Sequence, residues 1–142
     1  HIGGPQAAKS ALARIGVDPK GFRLADGSGL SRRNAATPKS LVTTLRVMYY
    51  APGKDMFYAS LPVAGRSGTL RNRMKNTPAQ GTVLAKTGTL RGVRALSGYI
   101  KHPNFGMVLF SILANNPHQS GSSLVRSIDK IVLQISTIKP CN

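Results

Sequence analysis

Residues 82–115, TVLAKTGTLRGVRALSGYIKHPNFGMVLFSILAN, contain three apolar runs separated by two short breaks. The runs are residues 82–88, 93–100 and 106–115, and the breaks fall around Arg91-Gly92 and Pro103-Asn104. Connections this short favour hairpins between antiparallel neighbours. The stretch therefore predicts a three-stranded antiparallel meander. Because the third run is apolar at almost every position, we expect it to be covered on both faces.

Helical patterns precede the meander. Residues 5–15 are predicted to form a helix, because Ala8, Leu12 and Ile15 lie on one helical face and Gly16 follows as a stop signal. Thr37-Pro38 matches an N-cap followed by proline at the first helical position, and Pro52-Gly53 ends that helix. The apolar stripe of this second helix consists of Leu41, Leu45 and Met48. Residues 22–25 are predicted as a short strand, and residues 55–60 as a short helix.

Another helix is predicted after the meander, preceded by Ser122 and Ser123. Its apolar face consists of Leu124, Ile128, Ile131 and Ile135, a stripe suited to lie across a sheet. The order of helices, meander and helix predicts an α/β (α+β layered) fold with an antiparallel sheet and flanking helices. This pattern does not explain Arg94, a basic residue inside the second strand.

The composition is strongly basic. Twenty Lys and Arg residues stand against four Asp and no Glu among 142 residues, a net charge of +16. Such a charge attracts nucleic acid, acidic lipid surfaces or anionic cell-wall material. Because the basic residues are spread along the chain, aromatic content is 6% and no nucleic-acid-binding motif occurs, we expect no nucleic-acid partner. No apolar run approaches the roughly 18 residues that span a membrane.

Metal and cofactor chemistry is not indicated. The single cysteine is Cys141, and the histidines His1, His102 and His118 are scattered and lack nearby carboxylates. We therefore expect no metal and no cofactor. One cysteine neither supports nor excludes an oxidising compartment. Because the chain begins at His1 rather than Met, we expect it to be cut from something longer.

Lys86, Thr87 and Gly88 lie at the end of the first predicted strand. A lysine ammonium attracts a substrate carboxylate, and a neighbouring hydroxyl can hydrogen-bond the same group. Glycine lets a substrate backbone lie against the strand, and the next N–H, that of Thr89, is placed to donate to a developing oxyanion. Taken alone, the tripeptide is a weak signal, and a turn that carries a surface lysine is the favoured interpretation.

Two earlier segments, 25-ADGSGLSRRN-34 and 60-SLPVAGRSGTLRNR-73, precede 85-AKTGTLRGVRALSGYI-100. In this order they closely resemble low-molecular-mass penicillin-binding proteins of the D-alanyl-D-alanine carboxypeptidase/endopeptidase type, the serine peptidases related to penicillin-binding protein 4. The resemblance extends from about Gly4 to about Ile135. It implies the penicillin-recognising fold, shared with β-lactamases, and makes residues 1–142 the C-terminal portion of such a domain.

The resemblance also assigns substrate-binding positions. Lys86, Thr87 and Gly88 match the third active-site motif on the strand that edges the cleft, and the N–H of Thr89 completes the oxyanion hole. The DGSGLSR loop matches a stretch near the cleft, with Ser28, Leu30 and Arg32 as its candidate residues. Arg32 is interpreted either as a ligand for a carboxylate of the peptide stem or as an ordinary surface arginine.

The nucleophile is missing. In this family a Ser-x-x-Lys and a Ser-x-Asn precede DGSGLSR, but here only 25 residues precede Asp26 and no Ser-x-Asn occurs. Two Ser-x-x-Lys matches, Ser127 to Lys130 and Ser136 to Lys139, follow Lys-Thr-Gly and so stand in the wrong order. Ser28 lacks a neighbouring base and is interpreted as a turn residue. We expect the nucleophile and its base upstream of this chain, which alone should be inactive.

The implied parent enzyme is a serine-type carboxypeptidase/endopeptidase of the periplasm or outer cell surface that trims peptidoglycan stem peptides through an acyl-serine intermediate. The expected partners are a stem peptide ending in D-Ala-D-Ala, β-lactams and an N-terminal fragment of the same protein. Two alternatives remain: a non-catalytic binding module that kept the fold, and a β-lactamase or esterase. The DGSGLSR and LPxAG segments favour the carboxypeptidase branch, without separating carboxypeptidase from endopeptidase action.

Overall fold

The computed structural model describes residues 3–141, so His1, Ile2 and Asn142 lie outside the described residues. The elements in chain order are α1 (Gly4–Arg14), β1 (Phe22–Arg23), β2 (Ala35–Ala36), α2 (Pro38–Tyr50), α3 (Lys54–Ser60), β3 (Val83–Leu90), β4 (Val93–His102), β5 (Gly106–Asn115) and α4 (Gly121–Ser136). Short 3-10 helices cover Pro19–Gly21 and Gly68–Leu70. The predicted order of helices, antiparallel meander and helix is confirmed.

The meander forms a three-stranded sheet in the order β3-β4-β5, with both pairs antiparallel. The tight β3–β4 turn uses Gly92 at φ +73, where a Cβ would also lie 3.1 Å from the Cα of Pro117. Gly98, in the middle of β4, faces Ala85 of β3. A Cβ on Gly98 would lie 2.6 Å from the Cα of Ala85, so β3 and β4 approach too closely here for any larger residue.

Alternate residues of the strands point to opposite faces of the sheet, and each face has its own core. The face covered by α4 buries a large cluster, which includes Val83, Ala85, Leu96, Ile100, Phe110, Ile128 and Val132. The face covered by α2 and α3 buries Leu45, Leu61, Leu84 and Tyr99. Both α2 and α4 pack on β5, as its apolar sequence predicts. Within β5, Phe110 is buried and the other residues are partly or fully exposed, because β5 is an edge strand.

The prediction for α4 was wrong in two details. Its N-cap is Ser120, whose Oγ accepts from the N–H of Ser123 at 3.2 Å, so the helix begins before Ser122. Ile131 is 44% exposed, whereas its neighbour Val132 is fully buried. The two residues are equally apolar, and a 3.6-residue period accommodates either of them after Ile128.

The first third of the chain follows its prediction less closely. The strand expected at residues 22–25 is limited to β1, which pairs with the equally short β2. Helix α1 forms as predicted but contains no fully buried residue, and Ile15 at its end is 43% exposed. Helix α2 begins as predicted, with the Oγ1 of Thr37 accepting from the N–H of Ser40 at 3.1 Å.

Tyr99 joins the sheet to α2. Its side chain is fully buried, and its hydroxyl donates a 2.6 Å hydrogen bond to the carbonyl of Leu45. The ring packs edge-on against Tyr58 and Phe57, with centroid distances of 4.8 Å and 6.3 Å. Burial, followed by the neighbouring Tyr58, raises the pKa of Tyr99 to about 12. The hydroxyl of Tyr99 therefore stays protonated, and able to donate, at pH values above 10.0, the ordinary pKa of tyrosine.

We expect Tyr99→Phe to lower the free energy of unfolding by about 1 kcal/mol at pH 7, because the ring remains and one hydrogen bond is lost. Since the folded-state pKa is raised, the folded protein keeps this proton longer than the unfolded chain. The stability that Tyr99 contributes is therefore complete below pH 10 and declines towards about pH 12. Urea unfolding from pH 7 to pH 11.5 measures both effects.

Tyr58→Phe is the matched control, because within residues 3–141 the buried hydroxyl of Tyr58 has no hydrogen-bond partner. Removing an unpaired buried hydroxyl costs little or stabilises the fold. If the two variants lose equal stability at pH 7, the hydrogen bond from Tyr99 to Leu45 does not stabilise the protein as described.

Candidate active site

The outer edge of β3 is covered along only half of its length. The N–H of Ala85 donates to the carbonyl of Pro62 at 3.0 Å, and the N–H of Ala64 donates to the carbonyl of Val83 at 2.9 Å. Beyond Ala85, no strand or bridge formed by residues 3–141 pairs with this edge. In an antiparallel strand, the N–H and C=O of alternate residues point to the same side. Thr87 and Thr89 therefore direct their backbone groups towards the open half of the edge.

Lys86 lies between these two outward-facing positions and the covered half of the strand. Its side chain is exposed, and Nζ donates to the carbonyl of Thr87 at 2.7 Å. This contact holds the ammonium beside the open edge. A groove of about 250 Å³ adjoins Lys86 on the α2 face of the sheet. The groove is mainly apolar and includes Leu41, Leu45, Phe57 and Leu61.

Gly88 keeps the same face clear. It pairs with Ala95 across the sheet, and a Cβ on Gly88 would lie 3.1 Å from the Cβ of Ala95. Any larger residue would therefore crowd Ala95 and would fill the groove wall next to Lys86. The role of Gly88 in leaving room for an approaching backbone stays a prediction.

The DGSGLSR loop is organised around the carboxylate of Asp26. The carboxylate accepts from the Oγ of Ser28 at 2.9 Å, from the N–H groups of Gly29 and Ser31 at 3.1 Å and 3.0 Å, and from the side-chain amide of Asn34 at 2.7 Å. These hydrogen bonds, that from Asn34 first and that from Ser28 second, lower the pKa of Asp26 from its ordinary value of 3.8. The loop thus has a fixed shape, and Ser28 is a turn residue within it.

Arg32 brings this loop to the β3–β4 turn. Its Nη2 donates to the carbonyl of Arg91 at 3.2 Å, across 59 positions of sequence. The structure therefore brings the loop and the Lys-Thr-Gly strand together at the end of the open edge. Leu30 is 72% exposed and so projects away from any core. Of the three loop candidates, Arg32 is therefore the one whose side chain is hydrogen-bonded to the β3–β4 hairpin.

The two misplaced Ser-x-x-Lys matches are not paired sites. The Oγ of Ser127 donates to the carbonyl of Ser123 at 3.1 Å, and the buried Oγ of Ser136 donates to that of Val132 at 2.8 Å. Both bonds stay within α4, and α4 covers the face opposite to the groove beside Lys86. Each hydroxyl thus donates to a carbonyl of its own helix and not to the lysine three residues on.

Three polar residues near the open edge were missed by the sequence analysis. Thr69 lies 3.0 Å from Thr87, measured between their hydroxyl oxygens. Arg73 forms a bidentate ion pair with Asp129 of α4, with a shortest distance of 2.6 Å. Arg94 donates from Nη1 to the carbonyls of Leu90 and Val93 at 2.6 Å and 2.7 Å. The signals in the sequence were the segment 60–73, which contains Thr69 and Arg73, and a basic residue inside an apolar strand, at Arg94.

Two further features of residues 3–141 concern metal ligation and membrane spanning. No group of three or more His, Cys, Asp or Glu side chains in this part is arranged to hold a metal ion. None of its helices combines the length and apolarity needed to cross a membrane. Cys141 is a free, exposed thiol.

Several known proteins are similar to this chain over most of its length. Residues 2–136 match the model of the D-Ala-D-Ala carboxypeptidase 3 (S13) family. Over 133 residues, covering 90% of this chain, the sequence is 47% identical to a D-alanyl-D-alanine carboxypeptidase from Actinomadura sp. (strain R39). It is 44% identical over 119 residues, 78% of this chain, to the penicillin-sensitive carboxypeptidase A of Dictyostelium discoideum. The chain spans only 24% and 23% of the lengths of these two relatives.

The fold has matching solved structures. The crystal structure of penicillin binding protein 4 from Haemophilus influenzae, complexed with a β-lactam, superposes with a TM-score of 0.85 at 29% sequence identity. The match covers 95% of this chain and 33% of that protein. The predicted architecture, a layered α/β domain of the penicillin-binding type, is therefore confirmed.

We expect the DGSGLSR loop to keep its shape to a pH below 3.8, because the lowered pKa of Asp26 keeps the carboxylate charged. A carboxyl group whose pKa is lowered in the folded state stabilises the loop at pH values above its ordinary pKa. This stabilisation is lost as the pH falls through the lowered pKa. The amide chemical shifts of Gly29 and Ser31, followed by NMR from pH 6 to pH 2, measure this midpoint. Asp26→Asn should remove the transition, and a midpoint at or above 3.8 would contradict the role given to Asp26.

Proposed function

The chain belongs to the D-Ala-D-Ala carboxypeptidase 3 (S13) family, and on that premise we propose that it forms one wall of the active site of a serine-type D-alanyl-D-alanine carboxypeptidase/endopeptidase. The substrate is a peptidoglycan stem peptide that ends in D-Ala-D-Ala. The observation that carries the proposal is the open half of the β3 edge, with Lys86 beside it and Arg32 at its end.

The open edge gives an extended peptide a place to bind. A peptide that adds to a sheet edge exchanges main-chain hydrogen bonds with the strand, and pockets for its side chains provide the specificity. Here the outward backbone groups of Thr87 and Thr89 supply those bonds. The N–H of Thr89 then serves as an oxyanion donor, since a preorganised N–H stabilises the negative charge that develops on the carbonyl oxygen during acyl transfer.

Positive charge at both ends of this segment favours an anionic substrate. Lys86 and Arg32 are exposed, and Asp26, the acidic residue of the Arg32 loop, is occupied by hydrogen bonds within the loop. A substrate carboxylate therefore meets cations without a competing carboxylate from that loop. Arg32 is placed to bind a carboxylate on the side chain of the stem peptide.

The nucleophile belongs to polypeptide outside residues 1–142 in this proposal, because no Ser-x-Asn and no correctly ordered Ser-x-x-Lys occurs within them. That segment packs into the apolar groove beside Lys86. Its serine oxygen attacks the penultimate D-Ala carbonyl and forms an acyl-serine ester. The C–N bond breaks, the leaving amine takes the proton released by the serine, and water then hydrolyses the ester. No metal or cofactor takes part in these steps.

The compartment follows from the substrate. Peptidoglycan lies outside the cytoplasmic membrane, so we place the protein in the periplasm or on the outer cell surface. A net charge of +16 suits a protein that works against an anionic cell wall, since the long-range field raises the local concentration of anionic partners.

Labelling with a fluorescent penicillin, followed by denaturing separation and intact-mass analysis of every band, tests the proposal. We expect label on a longer or co-purifying polypeptide that carries Ser-x-x-Lys, and none on the 142-residue chain alone. Label on this chain itself would show that the nucleophile is among residues 1–142, with Ser28, Ser127 and Ser136 to be tested.

In the complete polypeptide, we expect Lys86→Gln to slow penicillin acylation by about 100-fold, a loss typical for removal of one preorganised electrostatic group. Lys101→Gln is the matched control, because Lys101 is an exposed lysine near the far end of β4. Its acylation rate should stay within about twofold of the wild type. Equal rates for both variants, at unchanged thermal stability, would remove Lys86 from the site.

A non-catalytic module is the second candidate, favoured by the absence of a correctly placed nucleophile from the sequence. It becomes the better description if no polypeptide in the preparation takes up the label. A β-lactamase would instead release the labelled product rapidly, without a lasting acyl-enzyme. Intact-mass measurements at several times separate the three cases.

A further inference from the structure

Exposed cations surround the ion pair between Arg73 and Asp129. Two of them flank Arg73 in the segment that follows the second 3-10 helix, and two flank Asp129 in α4. All four side chains are exposed, and among residues 3–141 none of them forms a salt bridge with a carboxylate. These four residues, which we call the basic surface, are Arg71, Lys75, Arg126 and Lys130.

The ion pair brings the two halves of the basic surface together. Its shortest distance is 2.6 Å, between Nη2 of Arg73 and Oδ1 of Asp129. Because Cα atoms two positions apart in a chain are separated by at most about 7.6 Å, both loop cations stay close to Arg73. The two cations of α4 are one helical turn apart, so they share a face of the helix. The four charges are therefore held in one patch.

The backbone that carries the loop cations has a fixed shape. Leu70 and Met74 are buried, and the N–H of Gly65 donates to the carbonyls of Leu70 and Arg73 at 3.0 Å and 2.9 Å. Met74 has φ +56, a left-handed conformation that is unusual for a residue of its size and that persists only where the surrounding contacts hold it. An ordered segment therefore presents these cations to solvent.

The charges of the basic surface are not balanced within the fold. The chain contains four acidic residues in all, and the one in this region, Asp129, is already paired with Arg73. Like charges four positions apart destabilise a helix, and Arg126 and Lys130 are such a pair. A bound anion removes this repulsion, so charge complementarity favours an anionic partner here.

We propose that the basic surface binds a linear polyanion, a polymer whose phosphate or carboxylate groups repeat along a flexible chain. Four cations in one patch match several consecutive charges of such a polymer, whereas a single small anion contacts only one or two of them. Neither residues 69–75 nor α4 contains an aromatic residue. The surface therefore has no platform on which bases would stack, and nucleic acid is not the expected ligand.

The basic surface adjoins the open edge of β3. Thr69 lies 3.0 Å from Thr87, measured between their hydroxyl oxygens, and Arg71 follows Thr69 by two positions. A polymer on the basic surface is therefore held beside the edge on which the proposed substrate binds. The binding of the polymer goes beyond the function proposed above and does not depend on it.

Titration calorimetry of the 142-residue chain with inorganic polyphosphate and with poly-L-glutamate, at several salt concentrations, tests the proposal. The polymer that binds more tightly identifies the anionic group. Arg126→Gln combined with Lys130→Gln should weaken this binding by about tenfold at about 0.1 M salt. The slope of log affinity against log salt should fall by about 1.4, because each neutralised charge of a flexible chain contributes about 0.7.

Lys39→Gln combined with Arg46→Gln is the matched control, because it removes two exposed cations from α2, on the other face of the sheet. Its affinity should stay within about twofold of the wild type, since salt screens charges more than about 10 Å from the polymer. The proposal is overturned if the wild-type chain binds neither polymer, if the two double variants bind equally, or if an oligothymidylate of equal charge binds more tightly than both polymers. Amide spectra of each variant establish that the fold is retained.

A second measurement uses the complete polypeptide and one stem peptide, either free in solution or attached to the polymer that binds more tightly. Arg126→Gln combined with Lys130→Gln should raise KM for the attached peptide about tenfold and leave kcat, and both constants for the free peptide, nearly unchanged. Equal changes for the two forms of the peptide would overturn the proposal. If no polypeptide takes up penicillin, the proposed function fails, whereas polyanion binding to the isolated chain would still stand.

Discussion

The half-covered edge of β3 is the constraint on which the rest of the site depends. Residues 62–64 satisfy the outward backbone groups of Val83 and Ala85, and among residues 3–141 no segment pairs with the same outer edge at Thr87 and Thr89. A fully covered edge would leave no backbone for a peptide to pair with, and a fully open one would invite non-specific strand pairing. The covering segment thus limits the open stretch to the residues that carry the candidate chemistry.

Much of the fold was predictable because its signals are local. Two short breaks between apolar runs were sufficient to predict the β3-β4-β5 order, and Thr37-Pro38 was sufficient to begin α2. The β1–β2 pair was not predictable, because strands of two residues have no period. Residues 62–64 contact β3 across some twenty positions, and no local pattern in either segment indicates that contact.

The candidate site was predictable from motifs where the proposed role rests on the identity of the residue, as it does for Lys86 and Arg32. The contacts that these and other polar residues make were not predictable, because they are made to backbone carbonyls or within cavities. Arg94 is the clearest case: its Nη1 bonds go to main-chain oxygens, which every sequence supplies. Thr69 reaches Thr87 from a different segment, and a hydroxyl pair of this kind has no sequence signature.

The two turns of the meander differ in how much change they tolerate. The β3–β4 turn is confined by Pro117 and by the hydrogen bond from the Asn116 N–H to the Gly92 carbonyl, at 2.8 Å. An insertion there would displace the open edge. The β4–β5 turn, residues 103–105, is exposed at the opposite end of the sheet. Length variation during evolution should therefore accumulate at residues 103–105, and the same turn is the place to attach a reporter group.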